Sequence, residues 1–192
     1  MKGFETQIGY SYKNKATLSL ALTHTSYANE SKRSKTHNER LEFLGDSVLS
    51  IVVSKYLFNN YPDMPEGELS KTRAALVCEK SLANFAREIN LGEFLLLGRG
   101  EEQNGGRDRD SILADAFEAL IASLYLDGGI DIAEKFVLGF IAKQMESGEY
   151  NISFSDYKTE LQEIIQQNKE EKVERRKNSG SFYPCCCGHS AF

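Results

Sequence analysis

The chain has 192 residues, 41% hydrophobic and 27% charged, with a net charge of −5. That suits one soluble domain, or one and a fragment. It excludes a membrane-spanning protein, since no window approaches a spanning apolar stretch, and a broadly basic nucleic-acid binder. Any nucleic-acid contact has to come from local basic patches or from metals. Cys78 lies in the body and three more cysteines crowd the last eight residues, which is no disulfide framework. The opening "MKGFETQIGYSYKNKATL" lacks the basic-then-apolar build of a signal peptide, so a cytoplasmic protein is expected.

The body reads as all-α. "KNKATLSLALTHTSYANE" carries apolar residues at helical spacing, and the polar break "SKRSKTHN" follows. Thr36 with Glu39 three residues on forms a capping box, which predicts a helix from there to about Phe58. "NNYPDMPEG" ends it, and Pro65 suits the first turn of the next helix, "EGELSKTRAALV". "EKSLANFAREIN" is another short helix. "LGRGEEQNGGRDRD" reads as a Gly-rich charged loop. A long apolar helix from about Ser111 to Leu126 is closed by "DGG", and "IDIAEKFVLGFIAKQME" is the last core helix. No strand is expected before residue 150. Residues 1–150 form one domain and 151–155 a linker. Residues 156–174 form a helix with Tyr157, Leu161, Ile164 and Ile165 on one face. Residues 175–192 have no usable period. Their "CCCGH" lacks the C-x₂-C spacing of zinc sites, so an unstructured tail is expected.

"NERLEFLGDSVL" places three carboxylates in an apolar helix. At about 100° per residue, Glu39, Glu42 and Asp46 share one stripe. The opposite side carries Leu41, Leu44, Val48, Ile51 and Val52, and the stripe itself runs on into Leu49 and Val53. Gly45 lets another backbone approach beside the acids. In "SILADAFEALIASLYL", Asp115 and Glu118 repeat the pattern, their stripe continuing through the small Ser111 and Ala122. Nearly everything else there is apolar, so that helix is buried. Ionised carboxylates resist burial unless paired or bound to metal. Neither stripe holds a matching base, Arg40 lying off it. If the helices pack face to face, four acids converge and require a cation. An all-oxygen donor set suits Mg²⁺ or Mn²⁺. A di-iron bundle needs Glu-x-x-His pairs, which are absent.

These residues resemble a known family. "HNERLEFLGDSVL" looks like the signature of bacterial ribonuclease III, and "GRDRDSILADAFEALIASLYLDGG" is similar to its second block. "ALTHTSY" and "PEGELSKTRAALV" fall in the expected order, so the resemblance spans about residues 4–150, a whole nuclease domain of the ribonuclease III endonuclease fold. "DYKTELQEIIQQNKEEKVE" looks like the first helix of the family's α+β double-stranded-RNA-binding domain. The resemblance implies a Mg²⁺-dependent endoribonuclease of double-stranded RNA, with Mn²⁺ able to substitute. Its products would carry 5′-phosphate and 3′-hydroxyl ends, and its work would be the processing of ribosomal RNA precursors, mRNA and small RNAs.

The same resemblance implies Glu42, Asp115 and Glu118 as metal ligands, and Asp46 and Glu118 as the catalytic residues most costly to lose. It implies a homodimer in which each subunit cuts one strand and Phe43 inserts into the partner. The implied nucleophile is water activated by metal, so His24 and His37 are not needed as bases and are read as structural or RNA-contacting. Glu39 and Glu68 would assist near the site. Lys71, Arg73, Arg107 and Arg109 are the candidate phosphate contacts. The sequence departs from the family after Glu174, where three strands and a second helix should follow. A truncated or frame-shifted ending is expected, with the catalytic centre intact and RNA affinity weak. Two other readings stay open: an all-α Mg²⁺-dependent nucleotide pyrophosphatase, and a non-catalytic RNA-binding dimer.

Overall fold

The computed structural model describes residues 2–31 and 36–147. The chain divides into two units, Met1–Tyr150 and Asn151–Phe192, and every described residue belongs to the first. The linker, helix and tail expected beyond residue 150 lie outside the described residues, as does half of the polar break before the acidic helix. The described elements, in order, are α1 (Lys2–Ile8), α2 (Lys15–Ala21), α3 (Thr25–Glu30), α4 (Glu39–Asn60), α5 (Glu66–Leu76), α6 (Glu79–Glu88), α7 (Leu91–Phe94), α8 (Arg99–Gln103), α9 (Asp110–Gly128) and α10 (Ile130–Ser147). The domain is all-α, as its helical periodicity predicts. Among the described residues β pairing is confined to one bridge, Thr23 to Leu96. No described helix is long and apolar enough to cross a membrane.

The central element is α9. Ile112, Leu113, Phe117, Leu120, Ile121 and Leu124 are buried on several of its sides, and Ala114, Ala116, Ala119 and Ala122 fill the gaps. A helix apolar all round has to be enclosed. Here α4 covers it most extensively, with α6, α10 and α2 around the remainder. Phe85, Phe117, Phe136 and Phe140 stack in tilted and edge-on pairs, with Phe117 and Phe140 centroids 5.4 Å apart, joining α6, α9 and α10. The contact between α4 and α9 is closest at Gly45. A Cβ built there would lie 1.9 Å from the backbone oxygen of Glu118. Only a residue without a side chain permits that approach.

Several local expectations differ from the structure. The capping box does not form: Asn38 occupies the N-cap of α4 and its side chain makes no capping bond. Asn38 is buried, and its amide nitrogen donates instead to the carbonyl of Ala21 at 3.3 Å. A buried amide has to find an internal partner, and that demand overrides the local motif. Pro65 sits at the N-cap of α5 rather than inside its first turn. The run "ALTHTSYANE" breaks into α2 and α3 because Leu22 and His24 bond the backbone of Leu96, at 2.8 and 3.1 Å. His24 then caps α3, its Nδ1 accepting from the Ser26 amide at 3.2 Å. Ile51, expected on the core face of α4, is exposed.

The expected Gly-rich loop is folded. It holds α8 and a 3₁₀ turn at Gly106–Asp108. Arg107 donates to the carbonyls of Gly92 at 2.7 Å and Leu95 at 3.0 Å, and to both carboxylate oxygens of Glu102. Arg87 bonds Asp108 and Asp110 from α6. The unexpected α1 buries Phe4 against Phe94, and Glu5 accepts from the Tyr12 amide at 2.8 Å. Asp127, at the end of α9, accepts from Tyr10 and from the Lys13 and Asn14 amides, which ties the N-terminal segment down.

Gly45→Ala should separate α4 from α9. Overpacking a close contact of this kind costs about 2–3 kcal/mol. Urea unfolding of G45A should show that loss of stability, and near-wild-type stability would contradict the closeness of the contact.

Candidate metal centre

The 3- and 4-residue spacings on α4 and α9 place their acids on the facing sides of the two helices. On α4, Glu42 is half-buried, while Glu39 and Asp46 are exposed. The same stripe continues into Leu49 and Val53, both fully buried, so it runs from solvent straight into the core. On α9, Asp115 and Glu118 are half-buried and Ala122, one turn on, is fully buried. Gly45, between Glu42 and Asp46, faces the backbone of Glu118 itself.

The electrostatics show which acids meet. The Glu118 carboxyl is pushed up from 4.5 to about 8. Burial is the largest cause, and the charges of Asp46, Asp115 and Glu42 follow. Desolvation disfavours the ionised form, and three neighbouring carboxylates do the same. The two helices thus bring four acids, two from each, into one electrostatic site. Neither Glu39 nor Glu68 is among the groups acting on Glu118. Glu68 stands exposed in the first turn of α5.

These residues fit a hard divalent cation by their chemistry. They offer carboxylate oxygens, and a cation would offset both the burial and the mutual repulsion that raise the Glu118 pKa. Among the described residues, no group of three or more acid, His or Cys side chains is placed so that it could hold a metal ion.

The histidines have other neighbours. His24 is the α3 cap, and burial lowers its pKa. His37 Nδ1 lies 3.6 Å from Glu39. The four basic candidates are differently placed. Lys71 is exposed. Arg73 donates to Ser54 Oγ at 3.0 Å. Arg107 points inward at the carbonyls that it braces. Arg109, the N-cap residue of α9, pairs with Glu101 at 2.6 Å. Phe43 is 78% exposed. Ile51 and Phe58, at 61% and 73%, lie on the same outer face of α4. The sequence signal for the last two was their spacing, Ile51 eight residues after Phe43 and Phe58 seven after Ile51, hidden while the helix was divided only into acidic and core sides.

Such a fold, with acids paired across its two central helices, is that of an all-α endonuclease domain. Residues 14–145 match the family described as Ribonuclease-III-like. Ribonuclease 3 of Caldanaerobacter subterraneus subsp. tengcongensis is 53% identical over 169 residues, spanning 88% of this chain and 74% of that protein. Ribonuclease 3 of Oceanobacillus iheyensis is 50% identical over 177 residues, spanning 92% of this chain and 77% of that one. The solved nuclease domain of ribonuclease III from Campylobacter jejuni superposes with a TM-score of 0.68 at 47% identity, over 73% of this chain and 94% of that one. The chain belongs to the ribonuclease III family of endoribonucleases.

Glu118 also sets a pH dependence. Its folded pKa, about 8, lies above the ordinary 4.5, so the native chain binds more protons than the unfolded one between those values. Its contribution to stability is fully present below the ordinary value and is lost as pH rises through the folded one. In metal-free buffer, melting temperature should therefore fall as pH rises from about 5 to about 9, and Glu118→Gln should flatten that fall. Parallel profiles for the two proteins would contradict the four-acid cluster.

Proposed function

We propose that this endoribonuclease hydrolyses double-stranded RNA with Mg²⁺ held by Glu42, Asp115 and Glu118, and that Asp46 completes the catalytic set. The observation that carries the proposal is the close approach of α4 to the Glu118 backbone at Gly45, with burial and the charges of Asp46, Asp115 and Glu42 together raising the Glu118 pKa. A protein gains nothing in stability from four converging acids, whereas a cation site requires them.

The reaction is hydrolysis of a phosphodiester. A water oxygen forms a bond to phosphorus, the bond to the 3′ oxygen breaks, and that oxygen takes a proton. The products are a 5′-phosphate and a 3′-hydroxyl. A bound divalent cation supplies positive charge that makes water a better nucleophile and offsets charge building on the phosphate. The residues of this chain supply the setting. Glu42 and Asp115, half-buried on facing helices, fix the direction of the donor set. Glu118, whose pKa burial and then the neighbouring carboxylates raise, would be the ligand whose ionised form a bound cation favours. Asp46, exposed one turn beyond Glu42, faces the side from which water and RNA arrive. Leu49, Val53 and Ala122 close the floor and exclude water from beneath.

The active form is a homodimer whose contact includes the outer face of α4. Phe43, Ile51 and Phe58 leave an apolar strip there that a monomer has no use for. The Campylobacter jejuni nuclease-domain structure is described by a region involved in dimer formation, which supports this reading. Lys71, Arg73 and Arg109 are the exposed cations available to RNA phosphates. The natural substrates are duplex regions of ribosomal RNA precursors, mRNA and small RNAs, and the protein works in the cytoplasm.

Duplex-RNA cleavage in Mg²⁺ tests the assignment. Glu118→Gln should lower cleavage by at least about a hundredfold, since even groups that only orient metal ligands cost 10–100-fold. Chelation should abolish it and Mn²⁺ restore it, while nucleoside triphosphates should remain intact. Equal cleavage by wild type and E118Q would remove the site assignment, and triphosphate hydrolysis in place of RNA cleavage would favour a pyrophosphatase. Sedimentation of Phe43→Asp should show a monomer with unchanged helical content. A dimer of that variant would move the interface elsewhere.

A further inference from the structure

Glu101 and Arg109 form a pair that the carboxylate cluster leaves unexplained. Glu101 lies in α8 with its side chain 21% exposed, whereas that of Arg109 is 45% exposed. Arg109 Nη1 stands 2.6 Å from Glu101 Oε1. Its Nη2 donates to the carbonyl of Asn104 at 3.4 Å. Glu101 is hemmed in: a Cβ on Gly106 would come within 2.7 Å of its Cγ and 3.1 Å of its Oε1. Exposed ion pairs are usually loose and contribute little. In this one the acid is largely enclosed, so the arginine is oriented by it and not the reverse.

The position of the pair gives it a use. The charges of Glu101, Glu39, Arg109 and His37 all bear on the half-buried imidazole of His24. Around that ring meet α8, the N-terminus of α9 and the N-terminus of α4. Arg109 precedes Asp115 by six residues, about 9 Å along a helix axis. Glu39 precedes Glu42 by a single turn. The contrast with Arg107 is direct. Arg107 binds three backbone carbonyls and Glu102 and serves the fold. Arg109 has Nη1 against Glu101 and Nη2 on one carbonyl, and its side chain remains 45% exposed. A planar guanidinium held this way matches the oxygen pair of a phosphate, and a helix N-terminus adds favourable dipole charge.

We propose that Glu101 is a positioning residue that holds the Arg109 guanidinium at the N-terminus of α9 to take a backbone phosphate of duplex RNA. The proposal rests on the ribonuclease reading. It makes Arg109, among the basic residues named from sequence, the preset phosphate contact, and it makes an acid outside the metal set necessary for RNA binding.

Steady-state cleavage of a defined RNA duplex by the full chain, across a salt series, tests this. Glu101→Ala and Arg109→Ala should each raise KM about tenfold, the loss expected for one charge-assisted bond. Arg109→Ala should also reduce the slope of log affinity against log salt by about one. The double variant should be no worse than R109A alone, because both changes remove one contact. Arg109→Lys should recover only part of the loss, since an ammonium lacks the fork. If E101A proves too unstable, Glu101→Gln takes its place in the same cycle, thermal melts establishing that each variant is folded. A purely structural Glu101 would lower melting temperature while leaving KM and the salt slope at wild-type values, and that result overturns the proposal. So do losses in E101A and R109A that add. A wild type that does not cleave duplex RNA overturns the ribonuclease reading and this proposal with it. A cleaving wild type beside an unchanged E101A overturns this proposal alone.

Discussion

The approach of α4 to α9 at Gly45 is the constraint on which the rest of the structure depends. With no Cβ at that position, the two backbones come close enough for Glu42 and Asp46 to face Asp115 and Glu118. Two helices at an ordinary separation, with side chains interleaved, would spread the acids along a groove. The same approach demands that α9 be small-sided, and Ala114, Ala119 and Ala122 supply that. An alanine-rich, all-apolar helix cannot stand at a surface, so the other helices are arranged to enclose it.

The site works against stability, and the fold offsets it by separation of duties. Burial and three like charges bring Glu118 to the point where it holds a proton near neutral pH. The floor beneath is wholly apolar, through Leu49, Val53 and Ala122. The polar ties lie at a distance. Asp127 gathers the N-terminal segment through three bonds at the far end of α9. Ser123 accepts from Tyr12 while donating to Leu120, so a fully buried hydroxyl is satisfied on both counts. None of these groups titrates near the acids, and the charge state of the site can change without loosening the scaffold.

The acidic site was legible in sequence because its logic is local to each helix. Spacings of three and four residues fix a stripe whatever the surroundings, and a glycine between two acids in a helix otherwise rich in Leu and Val marks a close approach. What escaped was set by contacts distant in sequence. Thr36 and Glu39 satisfy a capping rule, yet Asn38 is drawn inward by Ala21, seventeen residues earlier. The segment 98–109 has the composition of a loop, yet Arg107 finds carbonyls twelve and fifteen residues before it and folds the chain around them. Helix α1 is seven residues long, too short for periodicity to speak. Ile51 was assigned to the core because α4 was given two faces, while the structure gives it a third, outward and apolar.

The arginines show how one residue type divides between fold and function. In a chain of net charge −5 with four acids at its centre, RNA cannot be drawn in by overall field. Arg87 is engaged by Asp108 and Asp110, and Arg107 by Glu102 and backbone carbonyls. Both hold the segment from which α9 emerges, and so fix the angle at which Asp115 and Glu118 face α4. Arg109 is two residues from Arg107 and differs in one respect: the group that orients it is less exposed than it is. Exposure of the cation relative to its partner separates an arginine that braces from one that presents its charge. By that criterion the segment between α8 and α9 both braces the start of α9 and presents a cation there.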